Sequence, residues 1–367
     1  MKKFILLFLI GFAVYAEPGM GRETYIRGID MTVDSATMKN GLTMQNGLIL
    51  NRLTGGSVAS SIPATNRFKG RGLEFGISKR HSGLLRSNFR LQFATLFSDS
   101  QLEGLYGTSS ATIGTGSSAI SLATGSFGVY EYTSNRLQTA NIGFSEDIYI
   151  FHDSNHKFTE GFSIRLGGEL YGNEIKSKSP YNYGISSTTF NGTTTAGFYS
   201  DGLTIDRITH NELFANAIIG LGYEVDFDEK HKVSVGFEYL KSLESMGKYE
   251  NKNDRLQTIP LSTLAIPIST KVKGDVKTEM EGNRVQVGYQ YSFNENLSLG
   301  IQYATSHATH RVVESKVKEA GNPLSLLAGG SSLNVLPFIL SGQESFGPYP
   351  ESKDIRSQIS LALHYRY

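Results

Sequence analysis

The sequence predicts an all-β chain, an antiparallel up-and-down barrel of about ten strands that crosses a membrane. Three observations predict it. Apolar and polar residues alternate with period two along segments of about ten residues or more, the length a tilted strand needs to cross a bilayer. The connections between those segments alternate between short and long. The chain ends on an alternating, aromatic strand, "DIRSQISLALHYRY".

Taken from the start, Lys2 and Lys3 precede an apolar run from Phe4 to Val14, and Val14, Tyr15 and Ala16 form a small-residue cleavage pattern. That three-part order reads as a secretory signal over 1–16, too short to span a membrane as a helix. The mature chain, 17–367, is expected to begin near Glu17 and to form one barrel. The chain has no cysteine, which excludes disulfides, thiolate zinc sites and a lipid-bearing cysteine at the cleavage site. No later run is long and apolar enough for a transmembrane helix. Gly is abundant at 40 residues and Pro scarce at 9, with 19 Tyr and 21 Phe, a balance that suits sheets with tight turns. A net charge of +1 argues against a nucleic-acid partner, which needs a concentrated basic patch.

The strand faces follow from side chains pointing alternately to opposite sides. In "NFRLQFATLF", Phe89, Leu91, Phe93 and Phe97 oppose Arg90 and Gln92. In "GFSIRLGGELYG", Phe162, Ile164, Leu166 and Leu170 oppose Ser163, Arg165, Glu169 and Tyr171. In "KVSVGFEYL", Val233, Val235, Phe237 and Tyr239 oppose Ser234 and Glu238. In "RVQVGYQYSF", Val285, Val287, Tyr289 and Tyr291 oppose Arg284, Gln286 and Gln290. In the last strand, Ile355, Ile359, Leu361, Leu363, Tyr365 and Tyr367 oppose Arg356, Gln358, Ser360, His364 and Arg366. Noisier segments of the same kind lie near 22–34, 67–80, 137–151, 210–226 and 297–310. The stretch 118–132 either adds a hairpin, giving twelve strands, or extends existing strands above the membrane.

The short connections hold "KRHSG", "HDSNH", "DFDEKH" and "FNEN", rich in turn residues. The long ones are expected at 35–66, 99–134, 173–208, 246–277 and 313–352. In barrels of this kind short turns face the periplasm and long loops the outside, and an even strand count places Glu17 and Tyr367 on the periplasmic side. Aromatics gather at the short-turn ends (Phe151, Phe158, Tyr223, Phe227, Phe293, Tyr365, Tyr367) and, less densely, at the long-loop ends (Phe97, Tyr239, Tyr303), where headgroups favour amphipathic rings. A soluble β-sandwich or propeller also alternates, but its strands are nearer five or six residues.

The opening "MKKFILLFLIGFAVYA" and the closing "ISLALHYRY" give the chain a resemblance to single-chain bacterial outer-membrane barrels. It looks most similar to the uncharacterised outer-membrane proteins of spirochaetes. The resemblance implies residence in the outer membrane of a Gram-negative cell envelope, with outer-membrane lipids as neighbours. It also implies that Leu361, Leu363, Tyr365 and Tyr367 form a terminal signal read by the barrel insertion machinery, with Tyr367 where Phe is usual.

The wet face places Glu74, Arg90, Arg165, Glu169, Glu212, Glu224, Glu238, Arg284 and Arg356 in the lumen. Both signs are present, as an ion-paired plug requires. A charged constriction that selects small solutes is the other reading. A rim hydrolase like the omptin-type surface proteases would need an acid and a histidine; Asp201, Asp206 and His210 are the available groups, and a tight acidic pair is missing. His307 and His310, three apart, point to opposite faces of a strand and cannot chelate one ion. His81, His152, His156 and His231 fall at turns. No G-x-S-x-G, P-loop or H-E-x-x-H occurs. No catalytic residue, metal site or cofactor is therefore expected. Two long connections are unusually apolar, 258–270 and 322–340, and solvated loops are normally polar. They are expected to cap the barrel or to meet a hydrophobic ligand or an extracellular protein. The expected function is a surface-exposed, non-enzymatic barrel, with a narrow channel for small or hydrophobic solutes as the alternative.

Overall fold

The structure, a computed structural model, describes residues 21–37, 67–98, 101–113, 120–132, 134–153, 157–185, 187–190, 193–196, 199–258, 265–320, 344–345 and 351–367. The segment 1–16, His156 and the apolar stretch 322–340 lie outside them; of 258–270, only Thr258 and 265–270 are described, as strand backbone.

The strands are β1 (Arg22–Asp34), β2 (Arg67–Arg80), β3 (Leu85–Ser98), β4 (Gln101–Ile113), β5 (Ile120–Tyr132), β6 (Ser134–Tyr149), β7 (Phe162–Ile185), β8 (Ser187–Phe190), β9 (Thr193–Ala196), β10 (Tyr199–Asp226), β11 (His231–Thr258), β12 (Ala265–Ser292), β13 (Leu297–Ala320), β14 (Glu344–Ser345) and β15 (Glu351–Arg366). One short helix, α1 (Lys157–Glu160), lies between β6 and β7. Ten strands form a closed antiparallel ring in the order β1-β2-β3-β6-β7-β10-β11-β12-β13-β15 and back to β1. Closure leaves no edge strand in the ring, which a sheet in hydrocarbon requires. The first and last strands of the ring meet at the seam, where Arg22 and Tyr367 exchange backbone hydrogen bonds of 3.2 and 3.0 Å.

The stretch 118–132 adds no strand to the ring. β4 and β5 pair with each other, and β5 pairs with the C-terminal end of β7, Ser126 opposite Ile185 and Tyr130 opposite Tyr181. Three of the short connections, 81–84, 227–230 and 293–296, are tight turns. In two of them one side chain ties the turn: Asp228 accepts from the N–H groups of Lys230 and His231, and Asn294 from those of Asn296 and Leu297.

Three long connections are shorter than the sequence suggests. β7 runs on to Ile185, β10 begins at Tyr199, β11 reaches Thr258, β12 begins at Ala265 and β13 reaches Ala320. The reason is a reversal in the alternation. Near the short turns the apolar side chains point outward: Ile26 on β1, Leu73 and Phe75 on β2, Phe93 on β3, Ile219 and Leu221 on β10, Val285 and Val287 on β12, Leu361 and Leu363 on β15. Toward the long connections they point inward: Ile29, Met31 and Val33 on β1, Phe68 on β2, Leu96 on β3, Leu137 on β6 and Ile175 on β7 form one buried cluster. Outward neighbours there are charged and exposed, among them Asp30, Lys69, Arg71 and Lys176. Each strand therefore crosses two solvents. Below the reversal the wall faces hydrocarbon and encloses a polar interior; above it the wall faces water and encloses an apolar core. An apolar side chain moved from water into hydrocarbon contributes about 1.5–3 kcal/mol, so a ring of such residues anchors the barrel in a membrane.

Candidate functional site

The polar half of the interior holds one continuous chain of ion pairs. Arg86 on β3 grips Glu224 on β10 with both terminal nitrogens, at 2.9 and 2.6 Å, and reaches Asp147 on β6 at 3.3 Å. Arg165 on β7 makes a two-toothed contact with Asp147, at 2.6 and 3.0 Å, and donates to Glu238 on β11 at 2.8 Å. Arg284 on β12 donates to Glu238 at 2.9 Å and to both oxygens of Glu169 on β7 at 3.0 and 3.1 Å. Arg90 on β3 closes the series on Glu169 at 2.8 Å. Four arginines thus meet four carboxylates, and the path crosses the lumen from β10 to β3 and returns.

Glu169 is the hub. It is 1% exposed and also accepts from Asn141 at 2.9 Å and Asn216 at 3.0 Å. Planar guanidinium groups suit such shared carboxylates, because each presents several donors in a fixed fork. The network compensates the cost of taking these charges out of water, which unpaired ions could not.

Six of the nine charged residues assigned to the lumen from sequence lie in this network: Arg90, Arg165, Glu169, Glu224, Glu238 and Arg284. The other three are held elsewhere. Glu74 pairs with Arg27 at 2.8 Å and accepts from the Tyr25 hydroxyl at 2.9 Å. Arg356 pairs with Asp354, reaches Asn173 at 3.3 Å, and lies over the Tyr171 ring at 4.6 Å. Among the described residues no arginine pairs with Glu212; it accepts from the hydroxyls of Thr37 and Thr278 at 2.5 and 2.6 Å. Sequence reasoning missed Arg86 and Asp147. Arg86 shares the parity of Arg90 in "LRSNFRLQF" and was readable by the same rule; Asp147 sits where the alternation of β6 is weakest.

The histidine considered for a rim site lies in the interior. His210 is 1% exposed, with Nε2 3.6 Å from Glu212 Oε1, because the inverted, water-facing part of the barrel encloses it. His310, also buried, stands edge-on to Phe214, while His307 is exposed on the opposite face. The other turn histidines each have a partner: His81 with Ser87, His152 with Asp153, His231 with Tyr289. The side chains of Asp201 and Asp206 lie outside the described residues.

Two interior cavities flank the network. One of about 190 Å³, toward the short turns, touches Tyr25, Arg86, Arg165 and Gln290. The other, about 70 Å³, lies toward the apolar cluster and touches Met31, Arg284, Arg356 and Gln358. Both are polar enough to hold water.

No family model matches the chain, and no curated protein does. Solved structures do. The outer membrane protease OmpT from Escherichia coli aligns over 95% of this chain and 96% of its own, at 9% identity and a TM-score of 0.40. The translocator domain of the autotransporter NalP from Neisseria meningitidis covers 100% and 95%, at 9% identity and 0.26. The Pseudomonas putida toluene transporter TodX covers 97% and 91%, at 9% identity and 0.21.

Proposed function

We propose that this protein is an outer-membrane barrel that is not an enzyme, closed through its lumen, and that works through the part standing above the membrane. The observation that carries the reading is the lumen-spanning network from Glu224 to Arg90, backed by the apolar cluster of Ile29, Met31, Val33, Phe68, Leu96, Leu137 and Ile175. A charged plug under a dry one leaves little for solutes to follow. The candidate rim histidine supports the non-enzymatic reading, because His210 is buried and the Glu212 carboxylate beside it is taken up by the hydroxyls of Thr37 and Thr278. In this reading the short turns are periplasmic, the long connections face outward, and Leu361, Leu363, Tyr365 and Tyr367 engage the insertion machinery.

Single-channel recording of the purified barrel in planar bilayers tests the closed lumen. The expected result is a silent trace; steady conductance steps would favour a narrow channel. That second reading has one observation on its side, the pair of polar cavities on either side of the network. Proteolysis on intact cells tests orientation. Cleavage confined to the long connections fits; cleavage at the turns around His81, His231 or Asn294 overturns it.

A further inference from the structure

The wall has a breach. Lys241 on β11 stands opposite Glu281 on β12, and the next matched pair is Gly247 opposite Val276. Between them, residues 242–246 and 277–280 share no ladder. β12 does not fray here, because its other edge keeps pairing with β13, Thr278 to Val312 and Met280 to His310. Side chains replace the missing backbone partners. The N–H of Thr278 donates to Ser245 Oγ at 2.9 Å, and that of Met280 to Ser242 Oγ at 2.7 Å. A gap whose orphan donors are satisfied in this way is a built feature of the wall.

The breach opens into a cavity of about 420 Å³. That is within the size range of small-molecule sites, about 300–1,000 Å³. Its apolar lining is Leu213, Met246 and Val276, with Leu213 and Met246 directly opposite each other across β10 and β11. Its rim carries Lys248, Lys277 and Lys316, all exposed. Acids also line it: Asp275 is held by Lys318 and stands opposite Lys248 and Lys316, Glu314 stands opposite Lys277, and Glu212 lies at the floor, engaged by Thr37 and Thr278; with Lys318 counted, four lysines meet two carboxylates at the rim. The opening adjoins the lipid-facing belt. Leu213 continues the outward row of Ile219 and Leu221 on β10, and Leu243, 66% exposed, projects beside it from β11.

We propose that this breach is a binding site for a single-chain anionic amphiphile, of the fatty-acid type, that enters from the surrounding leaflet. The alkyl chain lies on Leu213, Met246 and Val276. The anionic head stays at the rim on Lys248, Lys277 and Lys316, because the buried carboxylate of Glu212 repels it from the floor. The site deepens the surface-binding reading by naming a ligand class. It lies in the wall, so conductance through the lumen would overturn the closed-lumen reading and leave this one standing.

The chain contains no tryptophan, so Leu243→Trp supplies a single fluorescent reporter at the lip of the breach. The barrel is reconstituted in phosphatidylcholine bilayers and titrated with dibromostearic acid, whose bromines quench on contact. The expected result is saturable quenching, reversed by unlabelled stearate. Replacing Lys248, Lys277 and Lys316 with Gln should weaken it about tenfold, the equivalent of about 1.4 kcal/mol, and replacing them with Arg should restore it. Heat-modifiable migration on gels confirms that each variant is folded. Quenching that never saturates, that is matched by a brominated fatty alcohol, or that ignores the Gln substitutions would overturn the proposal. Equal saturable quenching by brominated phosphatidylcholine would also overturn it, in favour of an ordinary lipid contact.

Discussion

Replacing Glu169 with Gln tests whether the interior network holds the barrel together. The carboxylate has four donors: Arg90 at 2.8 Å, Arg284 at 3.0 Å, Asn141 at 2.9 Å and Asn216 at 3.0 Å. Gln keeps one acceptor oxygen and adds an amide that faces two guanidinium groups. Arg90 loses its only carboxylate in the network, and Arg284 keeps Glu238 alone. Removing one partner of a buried ion pair costs about 3–5 kcal/mol, because the surviving charge stays desolvated. The partial exposure of the two arginine side chains, 23% and 17%, favours the lower end. Urea unfolding in lipid bilayers, followed by tyrosine fluorescence and heat-modifiable migration, reads the difference. Adding Arg90→Met to Glu169→Gln should recover part of the loss, because it removes the charge left without its carboxylate; the two changes should not add. A loss below about 1 kcal/mol, or simple additivity, would refute the claim that these groups act as one network.

Other consequences are checked more briefly. Leu361→Arg places a charge on the lipid-facing belt and should cost about 2–4 kcal/mol in the same assay, whereas Thr309→Arg, on the outward row above the belt, should cost about 0–1 kcal/mol; equal costs would move the membrane boundary. Leu137→Ala hollows the inward cluster and should cost about 2–5 kcal/mol, as cavity formation does, although Leu137 lies on a strand of a membrane barrel; a cost under 1 kcal/mol would mean that the upper interior is wet. Gly72→Ala sets a Cβ against the Phe93 carbonyl oxygen, so β2 and β3 must part and stability should fall by about 1–3 kcal/mol. The Asp228 carboxyl is held below the usual carboxylate range, first by the N–H of Lys230 and then by that of His231. Its folded-state value is depressed, so its contribution is present above the ordinary Asp value and is lost as pH falls through the depressed one. Protection factors of those two amides should therefore persist through mild acid, then drop, and Asp228→Ala should abolish the step; protection that does not change with pH would contradict it.

What the sequence disclosed depended on which solvent each stretch faced. The closing strand was plain because Ile359, Leu361, Leu363 and Tyr365 keep one phase along its membrane length. β1 was noisy because the phase changes inside it: Ile26 points out, then Ile29, Met31 and Val33 point in, around Gly28. A rule that seeks one apolar face stops at such a point, which is why β7, β10, β11, β12 and β13 were ended too soon. Parity groups the charges by face, since it needs only the strand. It could not choose their partners, because Glu169 on β7 is met from β3, β6, β10 and β12, strands far apart in sequence. The breach between β11 and β12 had no signature beyond two serines, Ser242 and Ser245, on a strand otherwise regular in composition.

The reversal and the breach are connected. Where the wall passes from hydrocarbon to water, outward side chains turn from apolar to charged and inward ones from charged to apolar. On β1 the change is made in place, with no bulge in either ladder. On β11 it is made with an irregularity, since Tyr239 points outward below and Gly247 and Tyr249 line the interior above, a parity shared only if the intervening chain does not step evenly. Ser242, Ser245 and the unpaired Leu243 absorb that step. A bulge changes the parity of a strand and loosens its pairing at the same place. The boundary between the two solvents is therefore where a side opening can form without leaving backbone donors unmet in lipid, since water and serine hydroxyls are both within reach there. That is the physical reason to look for ligand exchange at this level of the wall, beside Leu213 and Met246, before looking for it along the lumen.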